Sequence, residues 1–474
     1  MNDKQPTIRI EQDSLGEIEI LAEPYFGPQT ARAVANFPIS GVPISHFPVF
    51  IQALGYVKKA AAIANRDLGE LEVTKATSII AACDELIAGE LIEHFPIDVF
   101  QGGAGTSVNM NANEVIANRA LELEGYSRGR YDIIHPNNHV NVSQSTNDVY
   151  PTAIRLAILL SYGQLRDALK SLAEEFERKG NDFHMVIKLG RTQLQDAVPM
   201  TLGQEFRAFA ATILDDVERL DEMARFFKKI NLGGTAIGTG INTVPGYQDR
   251  AVKCLSQVTG IAFQSARNLV EASWDTGSFV LFSGMLKRTA TKLSKICNDL
   301  RLLSSGPRGG LNEINLPPMQ PGSSIMPGKI NPVIPEVVNQ VAFQVIGADL
   351  TITLAAEAGQ LQLNVMEPVI AYNMLQSIGL MTNAVGVLQT KCIAGITANE
   401  AVCKRHLEQS TAVATALSPM IGYEQAAQLA KSVLSSGKTI REVLAEDPGL
   451  SEELIEFTAD MHALTMPMRR ELSN

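Results

Sequence analysis

The sequence predicts a mainly α-helical fold organised around a central bundle of long helices. Two observations carry that reading. Apolar residues recur every three or four positions over long stretches, as one face of a helix requires. Strand-like alternation is scarce and confined mainly to residues 8–20. From Gln204 to Ile230 the stripe runs through Phe206, Phe209, Ile213, Val217, Leu220, Met223, Phe227 and Ile230, which predicts one helix of many turns. Leu286, Ala290, Leu293, Cys297, Leu300 and Leu303 repeat the spacing. From Val337 to Leu354 apolar residues occupy more than one face. A helix of that kind needs several neighbours, which a bundle supplies, and part of its surface suits burial between subunits.

A chain of 474 residues exceeds what one core usually holds, so roughly two to four domains are expected. Polar, helix-poor stretches at about 101–113, 135–151, 189–203, 231–248 and 304–335 interrupt the helical runs. The divisions that follow are an N-terminal domain over 1–142, the central bundle over 143–397 and a small helical C-terminal domain over 398–474. The last boundary rests on Gly395–Asn399, where Thr397 is placed to cap a new helix.

Composition narrows the function. Hydrophobic residues at 45% and charged residues at 19% describe a soluble globular chain. A net charge of −11, with no long basic run, argues against a nucleic-acid partner. The polar start lacks the apolar core of a signal peptide, and no stretch reads as long enough to span a bilayer. Five scattered cysteines without paired spacing suit reduced thiols, so the expectation is a cytoplasmic protein with no disulfide and no zinc site.

The densest chemistry lies in Gly322–Pro332, which sets two serines, a lysine and an asparagine among helix-breaking residues. Such a loop is a surface element equipped for chemistry or a flexible connection. It is no P-loop, because five residues separate Gly322 from Gly328 and Ile330 follows Lys329. It is no hydrolase elbow either, because Ile325 stands two after Ser323. The cluster Gly233–Gly240 lacks the dinucleotide-binding order of glycines. Three more segments gather neutral hydrogen-bonding groups: Gly103–Asn113, His139–Asp148 and Lys188–Gln195. Capping explains any one of these side chains. Together they suit recognition of a carboxylate and of extra negative charge on it. His139 reads as a structural histidine. Glu114 and Glu336 begin or enter helices, where the dipole accounts for a carboxylate without any catalytic step.

Four separated blocks carry a family resemblance: GAGTSVNMNANEVIANRA (103–120), HVNVSQSTNDVYPT (139–152), GRTQLQDAVPMTLGQEF (190–206) and GSSIMPGKINPVIPEVVNQ (322–340). The chain resembles the fumarase/aspartase superfamily nearly end to end. AAEAGQLQLNVMEPVI (355–370) and RTQLQDAVPM point to its aspartase branch. The resemblance implies the three-domain fold of that superfamily, its long-helix bundle shared in a homotetramer, and an active site assembled from different subunits. It implies reversible anti elimination of ammonia from L-aspartate to fumarate through an aci-carboxylate. No cofactor and no required metal are implied.

Residue by residue, the resemblance makes Ser323 the general base. Lys329 and Asn331 become ligands of a substrate carboxylate and Ser324 an additional one. Thr106, Ser145, Thr146, Asn147 and Thr192 fall at substrate-binding positions. A serine base needs a lowered pKa, which loop N–H groups and Lys329 can supply. Many relatives have Thr-His where this chain has Thr192-Gln193. An amide hydrogen-bonds but does not shuttle protons, so Gln193 is a possible substrate contact that suits loss of ammonia better than loss of hydroxide. The alternative is a class II fumarase or another fumarate-forming lyase of the superfamily. Argininosuccinate and adenylosuccinate lyases fit the 355–370 block less well. A non-catalytic scaffold of the same fold need not keep the loop serine and lysine.

Overall fold

The computed structural model describes residues 7–446, 454–455, 458 and 460–467. The N-terminal alternation forms an antiparallel hairpin of β1 (Ile8–Asp13) and β2 (Gly16–Leu21). Helices α1 (Pro28–Asn36), α2 (Pro48–Asp67), α3 (Val73–Ala88) and α4 (Thr106–Leu123) follow. Prolines open α1 and α2, where a missing N–H costs nothing, and left-handed Gly89 ends α3. Next comes α5 (Thr146–Asp182), which starts inside a stretch that the sequence reads as helix-poor.

Strands β3 (Ile187–Thr192) and β4 (Gln195–Thr201) then form a second antiparallel hairpin. Helix α6 (Leu202–Ala224) carries the expected stripe but stops at Ala224. A 3-10 turn, Arg225–Lys228, and β5 (Lys229–Ile230) continue it. Phe227 and Ile230 are still buried, and Phe227 meets Phe279 and Phe282 at 5.4 and 5.3 Å between rings. Helix α7 (Tyr247–Thr259) leads to β6 (Gln264–Ser265), which pairs in parallel with β5. Short α8 (Leu269–Ala272) precedes α9 (Gly277–Leu303), whose six predicted stripe residues are all buried.

Strand β7 (Ile314–Asn315) precedes the site loop, and α10 (Val333–Glu357) and α11 (Glu367–Lys391) follow it. Strand β8 (Thr397–Ala398) pairs antiparallel with β7. Thr397 is therefore a strand residue and not a cap; α12 (Glu400–Glu408) begins after Asn399. Helices α13 (Ala412–Ile421), α14 (Tyr423–Ser436) and α15 (Ile440–Glu446) follow, and a 3-10 turn, Ala463–Thr465, is the last described element.

By spatial contact the chain forms two compact units, one of Met1–Arg166, Glu218–Arg288 and Gln344–Leu380, the other of Asp167–Val217, Thr289–Phe343 and Met381–Asn474. The first has Phe50, Tyr150, Phe227, Phe279 and Phe282 in its core. The second packs Phe176, Phe206 and Phe209 together, and groups Leu189 with Leu407, Leu417 and Val433.

Helix α10 bears out the reading of a helix apolar on more than one face. Val338, Ala342, Ala348 and Ile352 are buried, while Phe343, Leu350 and Leu354 remain more than 60% exposed. It is long and apolar enough, by length and composition, to cross a membrane, which corrects the expectation that no stretch is. Two of its buried polar residues are nevertheless satisfied by protein. Asp349 accepts from the Ser283 hydroxyl at 2.8 Å and Lys287 at 2.6 Å, and Asn339 donates to Ser294 Oγ at 2.8 Å.

Glu114 also departs from expectation. It lies buried within α4 and serves the N-terminus of another helix, α1. Its carboxylate accepts from the N–H groups of Gly27 and Gln29, both at 2.8 Å, and from the Thr30 hydroxyl at 2.6 Å. Burial pushes its pKa up to about 7 in spite of these donors. A carboxyl raised in the fold contributes stability that is full below its unfolded value near 4.5 and is lost as pH rises through 7. Any stability advantage of the wild type over Glu114→Gln in thermal melts should therefore narrow between pH 4.5 and 7; a pH-independent difference would refute this.

Candidate active site

In the second unit, the segment around Ser323 is a tightly closed loop. Pro321 and Ile330 bridge, the Gly322 N–H donates to the Lys329 carbonyl at 2.8 Å, and Asn331 Nδ2 donates to the Gly322 carbonyl at 2.7 Å. A Cβ on Gly322 would stand 2.5 Å from the Lys329 oxygen, so this closure requires glycine. Gly328 turns the chain at φ +80°.

Ser323 is half-buried, and its Oγ accepts from the N–H groups of Ile325 and Met326, both at 3.2 Å. That is the pattern of an ordinary serine turn. It is also what a serine alkoxide needs, because N–H dipoles aimed at the oxygen stabilise negative charge there. Ser323 and Lys329 line one cleft of about 420 Å3 together with Met319, Gln320 and Met326. Ser324 is exposed and lies outside that lining. Asn331 is occupied in closing the loop.

Thr192 and Gln193 sit at the tip of the β3–β4 hairpin, both exposed. Thr192 pairs with Gln195, so the turn is the two residues Gln193 and Leu194, with φ +54° and +62°. A two-residue hairpin turn of this kind needs left-handed backbone at both positions, and at two non-glycine residues that backbone is strained. Ala104, Ser143 and Thr235 share this conformation, and each lies in or beside a segment singled out from the sequence.

In the first unit, the Ser145–Asp148 turn starts α5 as a capping box. Ser145 Oγ accepts from the Asn147 N–H at 3.2 Å, and Asp148 Oδ1 accepts from the Ser145 N–H at 3.0 Å. Asp148 Oδ2 also accepts from the N–H groups of Gly233 and Thr235, both at 3.0 Å, which ties the glycine cluster to this turn. Asn147 Nδ2 donates to the Ala236 carbonyl at 2.8 Å, and the buried Thr146 hydroxyl accepts from Asn109 at 3.1 Å. Ser145, Asn141, Gln144, Thr235 and Asn242 line a cleft of about 530 Å3. Thr106 is exposed at the first turn of α4, behind Gly105 at φ +87°, where a Cβ would meet the Tyr150 ring.

Several groups beneath this cleft escape sequence reasoning. Lys58 is fully buried and donates to Asn141 Oδ1 and Gln144 Oε1, both at 2.9 Å. Asn109 and Asn113 donate to the same Asn141 oxygen at 3.2 Å. Burial pushes the Lys58 pKa down and the Asp148 pKa up, and each charge partly offsets the other's shift. A Ser-x-x-Asp box before an apolar run was the available signal for Asp148; a lysine in an ordinary helix offered none for Lys58. His139 is structural, its Nδ1 accepting from the His135 N–H at 2.8 Å. All five cysteines are buried free thiols. Among the described residues, no group of three or more His, Cys, Asp or Glu is placed to hold a metal ion.

The profile of a lyase family matches residues 16–347, and that of the fumarase C C-terminus matches residues 413–466. The chain belongs to the fumarase/aspartase superfamily of lyases. It is 60% identical to an aspartate ammonia-lyase of Pseudomonas aeruginosa over 94% of each chain. It is 53% identical to that of Escherichia coli over 97% of this chain and 96% of the other. Among solved structures, a fumarate lyase:delta crystallin from Brucella melitensis bound to cobalt is 59% identical, with a TM-score of 0.95 over 97% of this chain and 100% of that one. A class II fumarase from Schistosoma mansoni is 34% identical, with a TM-score of 0.92 over 98% of this chain and 100% of that one.

In this lyase, Gly322→Ala should open the Gly322–Lys329 closure and lower turnover by on the order of 100-fold, in line with misplacement of a reacting group. Steady-state kinetics with an unchanged melting temperature would match that; unchanged turnover would show that the closure is dispensable.

Proposed function

We propose that the chain is an aspartate ammonia-lyase that converts L-aspartate reversibly to fumarate and ammonia. The observation that carries this reading is the Ser323 hydroxyl, held by two backbone N–H groups in a cleft it shares with Lys329. The proton to be removed lies beside a carboxylate and is a very weak acid. Ser323, as alkoxide, takes it; the carboxylate becomes an aci-carboxylate with added negative charge on its oxygens. Lys329 stabilises that charge, with Ser324 as a further donor. The C–N electron pair then leaves on nitrogen as neutral ammonia, and the carbon–carbon double bond forms. Loss of hydroxide instead would need an acid.

Gln193 favours ammonia over hydroxide for that reason, because its amide can orient substrate but not protonate a leaving group. The fold does not separate the two reactions, since a class II fumarase shares it. Thr106, Ser145 and Thr192 are proposed as substrate ligands. Thr146, Asn147 and Asn331 are proposed as substrate ligands as well, with side chains that also bond to Asn109, the Ala236 carbonyl and the Gly322 carbonyl. The reading includes no cofactor.

The proposed assembly is a homotetramer in which different subunits bring these segments together. The exposed apolar side of α10, with Phe343, Leu350 and Leu354 left uncovered within the chain, supports it. The proposed domains remain 1–142, 143–397 and 398–474; α5 begins at Thr146 and α12 at Glu400, close to both boundaries. Five buried thiols suit a cytoplasmic setting.

Absorbance of fumarate should rise when the protein meets L-aspartate and stay flat with L-malate; product from malate would reassign the reaction to dehydration. Ser323→Ala should lower kcat about 100- to 10,000-fold, as loss of a general base does. Retained turnover in that variant would exclude Ser323 as the base.

A further inference from the structure

Glu313 is fully buried in the second unit and gathers three basic side chains. Arg191 Nη2 lies 2.7 Å from its Oε1, His406 Nδ1 3.0 Å from the same oxygen, and Lys188 Nζ 3.1 Å from its Oε2. Lys188 also donates to Glu205 Oε2 at 2.6 Å. Burial alone would push the Glu313 pKa up, but the Arg191 and Lys188 charges and the hydrogen bonds from Arg191 and His406 outweigh it and hold the carboxyl below its ordinary value. Removing one member of such a cluster leaves buried charge uncompensated, so the cluster holds its members in one arrangement.

Its placement gives this node a use. Lys188 and Arg191 belong to β3, and three-residue spacing on a regular strand would point them to opposite faces. The hairpin register slips between Leu189 and Arg191, where a Cβ on Gly190 would stand 2.8 Å from the Val198 oxygen. Such an irregularity sharpens strand twist, and here both cations converge on one carboxylate. Thr192 follows Arg191 directly and Gln193 comes next, at the strained turn. The Glu313 backbone is tied down as well. Its N–H donates to the Leu303 carbonyl at 2.8 Å, and its own carbonyl accepts from the Asn399 N–H at 2.9 Å.

We propose that Glu313 is a positioning residue for the reaction: by clamping Lys188, Arg191 and His406 it sets where the Thr192–Gln193 turn presents its side chains to substrate. The inference rests on the aspartate ammonia-lyase reading, in which that turn meets the substrate. Glu313 does not touch substrate, and its effect runs through Arg191 and the strand.

The test is a double-mutant cycle of Glu313→Gln with Gln193→Ala, followed by fumarate production from L-aspartate. Glu313→Gln should lower kcat/KM by on the order of 10- to 100-fold, mostly through KM. Gln193→Ala, costly in the wild type, should then add little in the Glu313→Gln background. Full additivity would overturn the inference, because a merely structural glutamate would leave the contribution of Gln193 intact. If Glu313→Gln does not fold, Arg191→Lys carries the same cycle, since it keeps the charge but not the two-pronged guanidinium. Turnover of L-aspartate by the wild type with an additive cycle defeats the inference alone; no turnover by the wild type defeats the reaction assignment and the inference with it.

Discussion

Irregular backbone inside a protein survives only if its N–H and C=O groups find partners, and the Asp148 carboxylate meets that constraint for the first unit. One oxygen holds the start of α5, and the other holds Gly233 and Thr235. Without an acceptor there, two polar segments nearly ninety residues apart would each leave donors buried and unpaired. Lys58 extends the arrangement downward through Asn141 and Gln144. The floor of the polar cleft above is a connected network around buried Lys58 and Asp148, and connected networks leave few alternative arrangements.

The second unit solves the same problem differently. Its site loop closes on itself through Gly322, Lys329 and Asn331, with main-chain and amide bonds in place of a buried ion. Its hairpin is held from behind by the Glu313 cluster. One half of the proposed chemistry, charge stabilisation, thus sits on an exposed loop with short-range support. The other half, orientation of substrate, sits on regular elements anchored by buried carboxylates. A loop that must admit substrate and exclude water has reason to be the less anchored of the two.

Legibility in the sequence follows the range of the interactions. The stripes of α6 and α9 were readable because a helix repeats its burial every three to four residues, and β1–β2 because its alternation is local. Gly322–Pro332 stood out because glycine, proline and hydroxyls concentrate there. The hairpin of β3 and β4 was not readable: its turn is Gln193–Leu194, not the Asn-Gly or Asp-Gly pair that announces a tight hairpin. The partners of Glu114 and of Glu313 lie eighty or more residues away in several cases, and no local pattern reports such contacts. Asn109 and Asn113 read as neutral hydrogen-bonding groups that capping alone would explain. They proved to be buried supports for Thr146 and Asn141, because α4 packs on all sides.

The turn at Gln193 has a consequence for how this enzyme would respond to pressure for durability alone. Its backbone conformation is one that glycine adopts without penalty and that a side chain opposes by about 1 kcal/mol. Selection in the laboratory for heat resistance, blind to turnover, would drift toward glycine at this tip and remove the amide in doing so. The hairpin is a place where the durability of the fold and the presentation of a reactive surface pull apart.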